Sequence, residues 1–98
     1  ELLPAPAVAV VGSDIMAWGA MEAIKDKKWK IPRDIGVVGY DNISFSSYLY
    51  PKLTTVENPI TQMAVNSMKL MLDALEQNRK LLGVSLALRS SLIVRKSC

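Results

Sequence analysis

The sequence predicts an α/β fold built around parallel strands, and three observations support this prediction. Residues 7–11 form a short, continuous apolar run that ends at a glycine, which is typical of a strand buried in a parallel sheet. Residues 35–40 form a second run of this kind. The segment between them carries apolar residues at helical spacing. The order strand–helix–strand predicts two parallel strands joined by a right-handed crossover.

In the first half of the chain, capping residues and helix-breaking residues indicate where the helix and the loops lie. We expect the helix to cover residues 15–27, with Ser13 or Asp14 as its N-terminal cap. Residues 31–34 contain a proline and form a loop. Residues 41–50 are polar and aromatic, which indicates a loop with one short helical turn.

In the second half of the chain, the sequence predicts a strand, a helix and a final strand. Residues 53–56 are β-prone. Asn58 and Pro59 then provide a cap and a proline at the first position of a helix that reaches about Gln77. Residues 86–96 form a last strand or a pair of short strands. The helix contains methionines that we expect to pack in the core: Met63, Met68 and Met71.

Composition excludes several classes of protein. The chain has 98 residues, of which 50% are hydrophobic and 21% charged, which is typical of one small globular domain. It has no apolar run near the roughly 20 residues that span a bilayer, and its start does not resemble a signal peptide. There is no histidine, and Cys98 is the single cysteine. We therefore expect no membrane contact, no metal, no cofactor and no catalytic residue.

The net charge of +3 does not by itself indicate a nucleic-acid-binding surface. The lysines of residues 25–30 fall at the predicted end of the helix and in the following turn, where cations suit the helix dipole. No zinc finger or helix-turn-helix is visible. A nucleotide-dependent enzyme is equally unsupported, because there is no phosphate-binding loop and Gly36 and Gly39 lie inside a strand.

Five sequence blocks in order resemble the C-terminal third of lac-repressor-type transcription regulators, the LacI/GalR family: residues 13–20, 31–35, 37–42, 51–56 and 92–97. The resemblance covers nearly the whole chain. It implies part of a periplasmic-binding-protein-like fold, with residues 1–53 in the C-terminal subdomain. Residues 54–98 would supply crossover strands and a helix that packs on the N-terminal subdomain. Operator DNA would be bound only through the family's N-terminal headpiece, which these residues do not include.

Three polar residues are candidates for binding the effector. Asp41 directly follows the second strand, and ligands of open α/β sheets bind beyond the carboxyl ends of strands. Its carboxylate could accept two hydrogen bonds from sugar hydroxyls or purine N–H groups. The alternative is an Asx-turn, and the resemblance favours the ligand role. Ser13 and Asn58 are the other candidates, and capping is the alternative for both.

Three departures from the family concern these residues and the helix end. Members usually have asparagine in place of Ser13 and often glutamine in place of Asn58. The effector class therefore stays open among sugars, sugar phosphates and purines. Members usually have glycine in place of Lys28, after the helix, where a left-handed backbone is often needed.

The first helix is apolar on two faces, which indicates a core on one side and a partner on the other. One face holds Met16, Gly19, Ala20, Ala23 and Ile24. The opposite face holds Ile15, Trp18 and Met21, with Glu22 at its rim. The resemblance implies a homodimer through this second face, joined by Tyr48 and Leu49. The alternative is that another layer of the same chain covers Trp18.

The sequence alone leaves three functional hypotheses open. The first is the effector-binding and dimerising region of a bacterial transcription regulator. The second is a periplasmic sugar-binding protein of similar fold that serves transport. The third, an enzyme with a doubly wound sheet, is the least supported. The block at residues 53–56 looks more like the regulators than like the transport proteins.

Overall fold

The computed structural model describes residues 6–80 and 83–98. The predicted strands, helices and helical turn occur within those ranges in the expected order. Their bounds are β1 Val8–Val10, α1 Asp14–Asp26, β2 Gly36–Tyr40, a 3-10 helix Ser44–Tyr48, β3 Thr54–Glu57, α2 Ile60–Glu76 and β4 Ser91–Ile93.

The strands form one sheet in the order β1-β2-β3-β4. β1 pairs parallel to β2, with Val10 opposite Val38, so the predicted parallel unit is confirmed. β2 also pairs parallel to β3, whereas β4 runs antiparallel to β3. The carboxyl ends of β1, β2 and β3 therefore lie at the same edge of the sheet.

The chain divides into two compact units. One contains residues 1–57 and 91–98, and the other contains residues 58–90. β3 and β4 complete the sheet of the first unit, and the boundary between the two units follows Glu57. The predicted division of residues 1–53 and 54–98 between two subdomains concerns a larger protein and stays a prediction.

The core of the first unit lies between α1 and the sheet. It consists of buried apolar side chains from the helix, from β2 and from the segment before β3: Ala17, Met21, Val37, Leu49 and Leu53. The helix therefore buries the stripe of Asp14, Ala17 and Met21, not the predicted face around Gly19. That assignment was wrong because both faces are apolar, and only the position of the sheet selects the buried one.

β1 is not the fully buried strand that its apolar run predicts. Val10 is 78% exposed, and Val8 is also exposed. In the described part of the chain, β1 is an edge strand that pairs with β2 alone. An apolar strand at an edge, with no second layer over its outer side, keeps its side chains accessible to water.

The ends of α1 agree in part with the expectation. Ser13 is the cap, and its Oγ accepts a hydrogen bond from the Met16 amide at 3.2 Å. Asp14 is not the cap, because it lies inside the first turn. At the other end, Lys28 adopts a φ of 64°, so a lysine does occupy the left-handed position where the family usually has glycine.

The second unit begins before α2, and its cap differs from the expectation. Pro59 is the N-cap, and the helix begins at Ile60. Asn58 is not the N-cap, and its side chain accepts a hydrogen bond from the Ser90 hydroxyl at 2.8 Å. The predicted core methionines are exposed: Met63, Met68 and Met71. Of the described side chains of α2, Ala74 is the buried one, so most apolar side chains of this helix are accessible to water.

Candidate functional site

Asp41 stands at the carboxyl end of β2, as the sequence predicts. Its amide donates to the carbonyl of Val56 in β3, at 2.8 Å, while its side chain is exposed. Among the described residues, no hydrogen bond reaches the Asp41 carboxylate, so the alternative of an Asx-turn is not formed. The carboxylate keeps its acceptor capacity for a ligand.

The backbone at Asp41 is held in an unusual conformation. Asp41 has a φ of 106° and Asn42 a φ of 48°, both in the region that side chains other than glycine rarely adopt. Each such residue costs on the order of 1–3 kcal/mol, and it persists only where surrounding contacts hold it. Strain of this kind concentrates at binding sites, and here it sets the direction in which the segment after β2 leaves the sheet.

Ser13 lies at the same edge of the sheet as Asp41, because it follows β1 and β1 is parallel to β2. Its Oγ caps α1 by accepting the Met16 amide. A hydroxyl that accepts one hydrogen bond still has a proton to donate, so capping and ligand contact are compatible for Ser13.

Asn58 follows β3, but it opens the second unit of the chain. Its side chain accepts from Ser90 within that unit. The role of Asn58 toward an effector therefore stays a prediction.

A buried carboxylate close to Asp41 was not recognised in the sequence. Asp14, assigned there to a cap, is 1% exposed and accepts two hydrogen bonds. One comes from the Thr55 hydroxyl at 2.5 Å, and the other from the Ile43 amide at 2.9 Å. Asp14 thus joins α1 to β3 and to the loop that begins with Asp41 and Asn42.

Arg95 is the second residue that sequence reasoning missed. Its Nη2 donates to Asn42 Oδ1 at 2.8 Å, and its Nη1 donates to Ser46 Oγ at 2.9 Å and to the Leu53 carbonyl at 2.8 Å. Its amide donates to Thr54 Oγ1. The partners of the guanidinium lie 42–53 positions away in the chain, so no local pattern points to them.

The outer face of α1 is the candidate dimer surface. Trp18 is 43% exposed, with its ring 5.0 Å from that of Phe45 in an edge-on contact, and Ile15 is exposed beside it. Phe45 therefore covers Trp18 only in part. Tyr48 is exposed, and Glu22 forms an ion pair with Lys25 at 3.0 Å.

Two members of the predicted dimer surface are corrected. Met21 is 0% exposed, and Leu49 is 8% exposed. Both side chains belong to the core between α1 and the sheet, so neither offers appreciable surface to a partner. The correction follows from the side of α1 that faces the sheet.

Within residues 6–80 and 83–98, no group of three histidine, cysteine, aspartate or glutamate side chains is placed to hold a metal ion. None of the helices in those ranges is long and apolar enough to cross a bilayer.

Comparison with known proteins shows which domain family and which relatives this chain matches. A model of the periplasmic binding protein-like domain matches residues 1–98. The probable HTH-type transcriptional repressor ExuR of Bacillus subtilis is 48% identical over 64 residues, which is 64% of this chain and 19% of that protein. The relatives of this kind are repressors and not enzymes, in agreement with the expectation.

Solved structures agree with the fold. A LacI family transcriptional regulator from Lactobacillus casei with bound sucrose matches with a TM-score of 0.76 and 30% identity, over 93% of this chain and 33% of that one. The lac repressor dimer bound to operator and the anti-inducer ONPF matches with a TM-score of 0.81 and 37% identity, over 94% and 32%. The chain thus spans about a third of these structures.

Proposed function

Because the chain belongs to the LacI family of transcriptional regulators and carries its periplasmic-binding-protein-like fold, we propose that it forms part of the effector-binding and dimerising region of a cytoplasmic regulator. Effector binding here would change the affinity of an N-terminal helix-turn-helix headpiece for operator DNA. The lac repressor structure, which contains operator and an anti-inducer, supports this assignment by analogy.

One observation carries the ligand role: an exposed carboxylate without a hydrogen-bond partner among the described residues, at the carboxyl end of a parallel strand. Asp41 is that carboxylate, on a backbone with a φ of 106°. Open α/β sheets bind ligands at this edge. Ser13, after the neighbouring strand, would donate its hydroxyl proton to the same ligand.

The proposed effector is a sugar. Vicinal hydroxyls of a sugar can donate two hydrogen bonds to one carboxylate, as Asp41 requires. The related regulators with bound sucrose and with cellobiose support this class. A sugar phosphate is less well suited to Asp41, because its negative charge would be repelled by the carboxylate. A purine remains the competing ligand, since its ring N–H groups could also donate to Asp41.

The experiment is a ligand screen on the full-length regulator that contains this chain. Sugars, sugar phosphates and purines are compared by thermal shift, where a ligand at 100 times its dissociation constant adds about 2.7 kcal/mol of stability. Calorimetry then compares the wild type with Asp41→Ala. We expect the variant to lose affinity by about 10–150-fold, because a charged hydrogen-bonding partner is removed.

The control is Asp73→Ala, which removes an exposed carboxylate from α2. It should leave both the affinity and the melting temperature unchanged. Unchanged affinity of Asp41→Ala for the identified effector would remove Asp41 from the site. Failure of all three ligand classes to stabilise the protein would contradict the proposed function.

The proposed dimer uses the outer face of α1. Trp18 and Ile15 are exposed apolar side chains of α1, with Glu22 at the edge. Tyr48, exposed in the 3-10 helix, would join this contact. A two-fold dimer places the same patch on both partners, so a single face of this kind is sufficient to build the contact.

A further inference from the structure

We propose that Arg95 is the residue that positions Asp41, and that it acts through Asn42. This inference rests on the proposed function, since it assigns Arg95 a part in effector binding without contact to the effector. Arg95 is partly buried, and among the described residues its guanidinium partners are neutral oxygens rather than a carboxylate. The cation is thus used to hold backbone and side-chain oxygens in place.

The first step of the argument is the shape of the guanidinium. Its two terminal nitrogens point to different elements: Nη2 to Asn42, next to Asp41, and Nη1 to the Leu53 carbonyl ahead of β3. Nη1 also reaches Ser46, which itself donates to the Ile43 carbonyl at 2.7 Å. A planar fork bridges two elements in this way, whereas a lysine ammonium is a single point.

The second step is the backbone that this fork restrains. Asp41 and Asn42 both have positive φ, which an L-residue adopts only under external restraint. The hydrogen bond from the Asn42 backbone amide to Thr55 Oγ1 is long, at 3.3 Å. The hydrogen bond from the Ser46 hydroxyl to Asn42 Oδ1 is also long, at 3.3 Å, so the 2.8 Å bond from Arg95 is the shortest restraint on Asn42. Loss of this bond should let the Asn42 backbone move. Because Asp41 precedes Asn42 directly, its side chain should then change direction.

The third step is where Arg95 is anchored. Its own amide donates to Thr54 Oγ1 at 2.9 Å, at the start of β3, and Arg95 itself follows β4. β3 is the strand before the second unit in the chain, and β4 is the strand after it. Arg95 therefore links the loop of Asp41 to the start of β3 and to the end of β4.

The test begins without ligand, by amide hydrogen exchange in Arg95→Lys. We expect the amides of Asp41 and Ile43 to exchange at least about tenfold faster, because local opening of this loop costs less. The amide of Gly36 in β2, which donates to the Ala7 carbonyl at 2.8 Å, should keep its rate. Lys96→Ala is the matched control, since it removes the neighbouring exposed cation. Unchanged exchange at Asp41 in Arg95→Lys would overturn the proposal.

The second measurement is a double-mutant cycle on the full-length regulator with the effector found in the screen. Arg95→Lys should weaken binding about tenfold when Asp41 is present, and less than about twofold in Asp41→Ala. Equal losses in both backgrounds, or no loss in either, would overturn the positioning role. If the screen finds no effector, the proposed function fails, whereas the exchange rates still decide whether Arg95 holds Asp41.

Discussion

The Asp14 carboxylate accepts a hydrogen bond of 2.5 Å from the Thr55 hydroxyl, although the two residues are 41 positions apart. Both side chains are buried. The same carboxylate accepts the Ile43 amide, so the first turn of α1, β3 and the loop after β2 meet at one charged group. A residue with the sequence signature of a helix cap is thus a tertiary connection beneath the candidate site.

Asp14→Ala should destabilise the protein by about 2–3 kcal/mol, because it leaves the Thr55 hydroxyl and the Ile43 amide without their acceptor in a buried place. Urea unfolding measures the loss. The exposed Asp26→Ala at the end of α1 is the control and should stay within about 0.5 kcal/mol of wild type. Equal stability of the two variants would show that the buried bonds contribute little.

Gly39 and Gly19 should respond in opposite ways to alanine. A Cβ at Gly39 would lie 2.9 Å from Leu53 Cδ2 and would also collide with Asp14, so Gly39→Ala should cost about 1–3 kcal/mol. At Gly19, inside α1, a Cβ would meet no atom within 4 Å. Gly19→Ala should therefore raise stability by about 0.5–1 kcal/mol. Thermal unfolding of the two variants tests both signs.

Trp18→Ala should weaken the proposed homodimer by about 2 kcal/mol, or roughly 30-fold in dissociation constant, because tryptophan at the centre of an interface is a common hot spot. Sedimentation measures the association, and circular dichroism checks folding. Met16→Ala, which also removes an exposed apolar side chain from α1, is the control. A folded Trp18→Ala that dimerises as tightly as wild type would refute this interface.

The stability that the Asp34 carboxylate contributes should decrease at acid pH. Hydrogen bonds from the Arg33 guanidinium and from the Lys30 amide hold the pKa of Asp34 below its ordinary value of 3.8. A lowered folded-state pKa stabilises the fold above the unfolded value, and this stabilisation is lost as the pH falls through the folded value. Arg33→Ala should raise the Asp34 pKa, measured by NMR titration of its carboxyl carbon. The effect on stability is small because the pair is exposed.

The sequence by itself determined the order of the elements and the parallel pairing of β1 and β2. Both depend on local patterns: apolar runs, helical spacing and a serine before the first helix. It also determined the place of Asp41, because a residue that follows a strand lies at the carboxyl end of that strand. The departure from the family's glycine at Lys28 correctly marked a left-handed residue.

The tertiary structure alone decided which side of each element is buried and which polar groups meet. Met21 lies in the core rather than at a partner surface, and Val10 is exposed, because burial depends on the neighbouring layer and not on the residue. The partners of Arg95 and Asp14 are brought together by chain reversals over some 30–50 positions. Hydrogen bonds act over about 3 Å, so such contacts exist only after the sheet has placed these segments side by side.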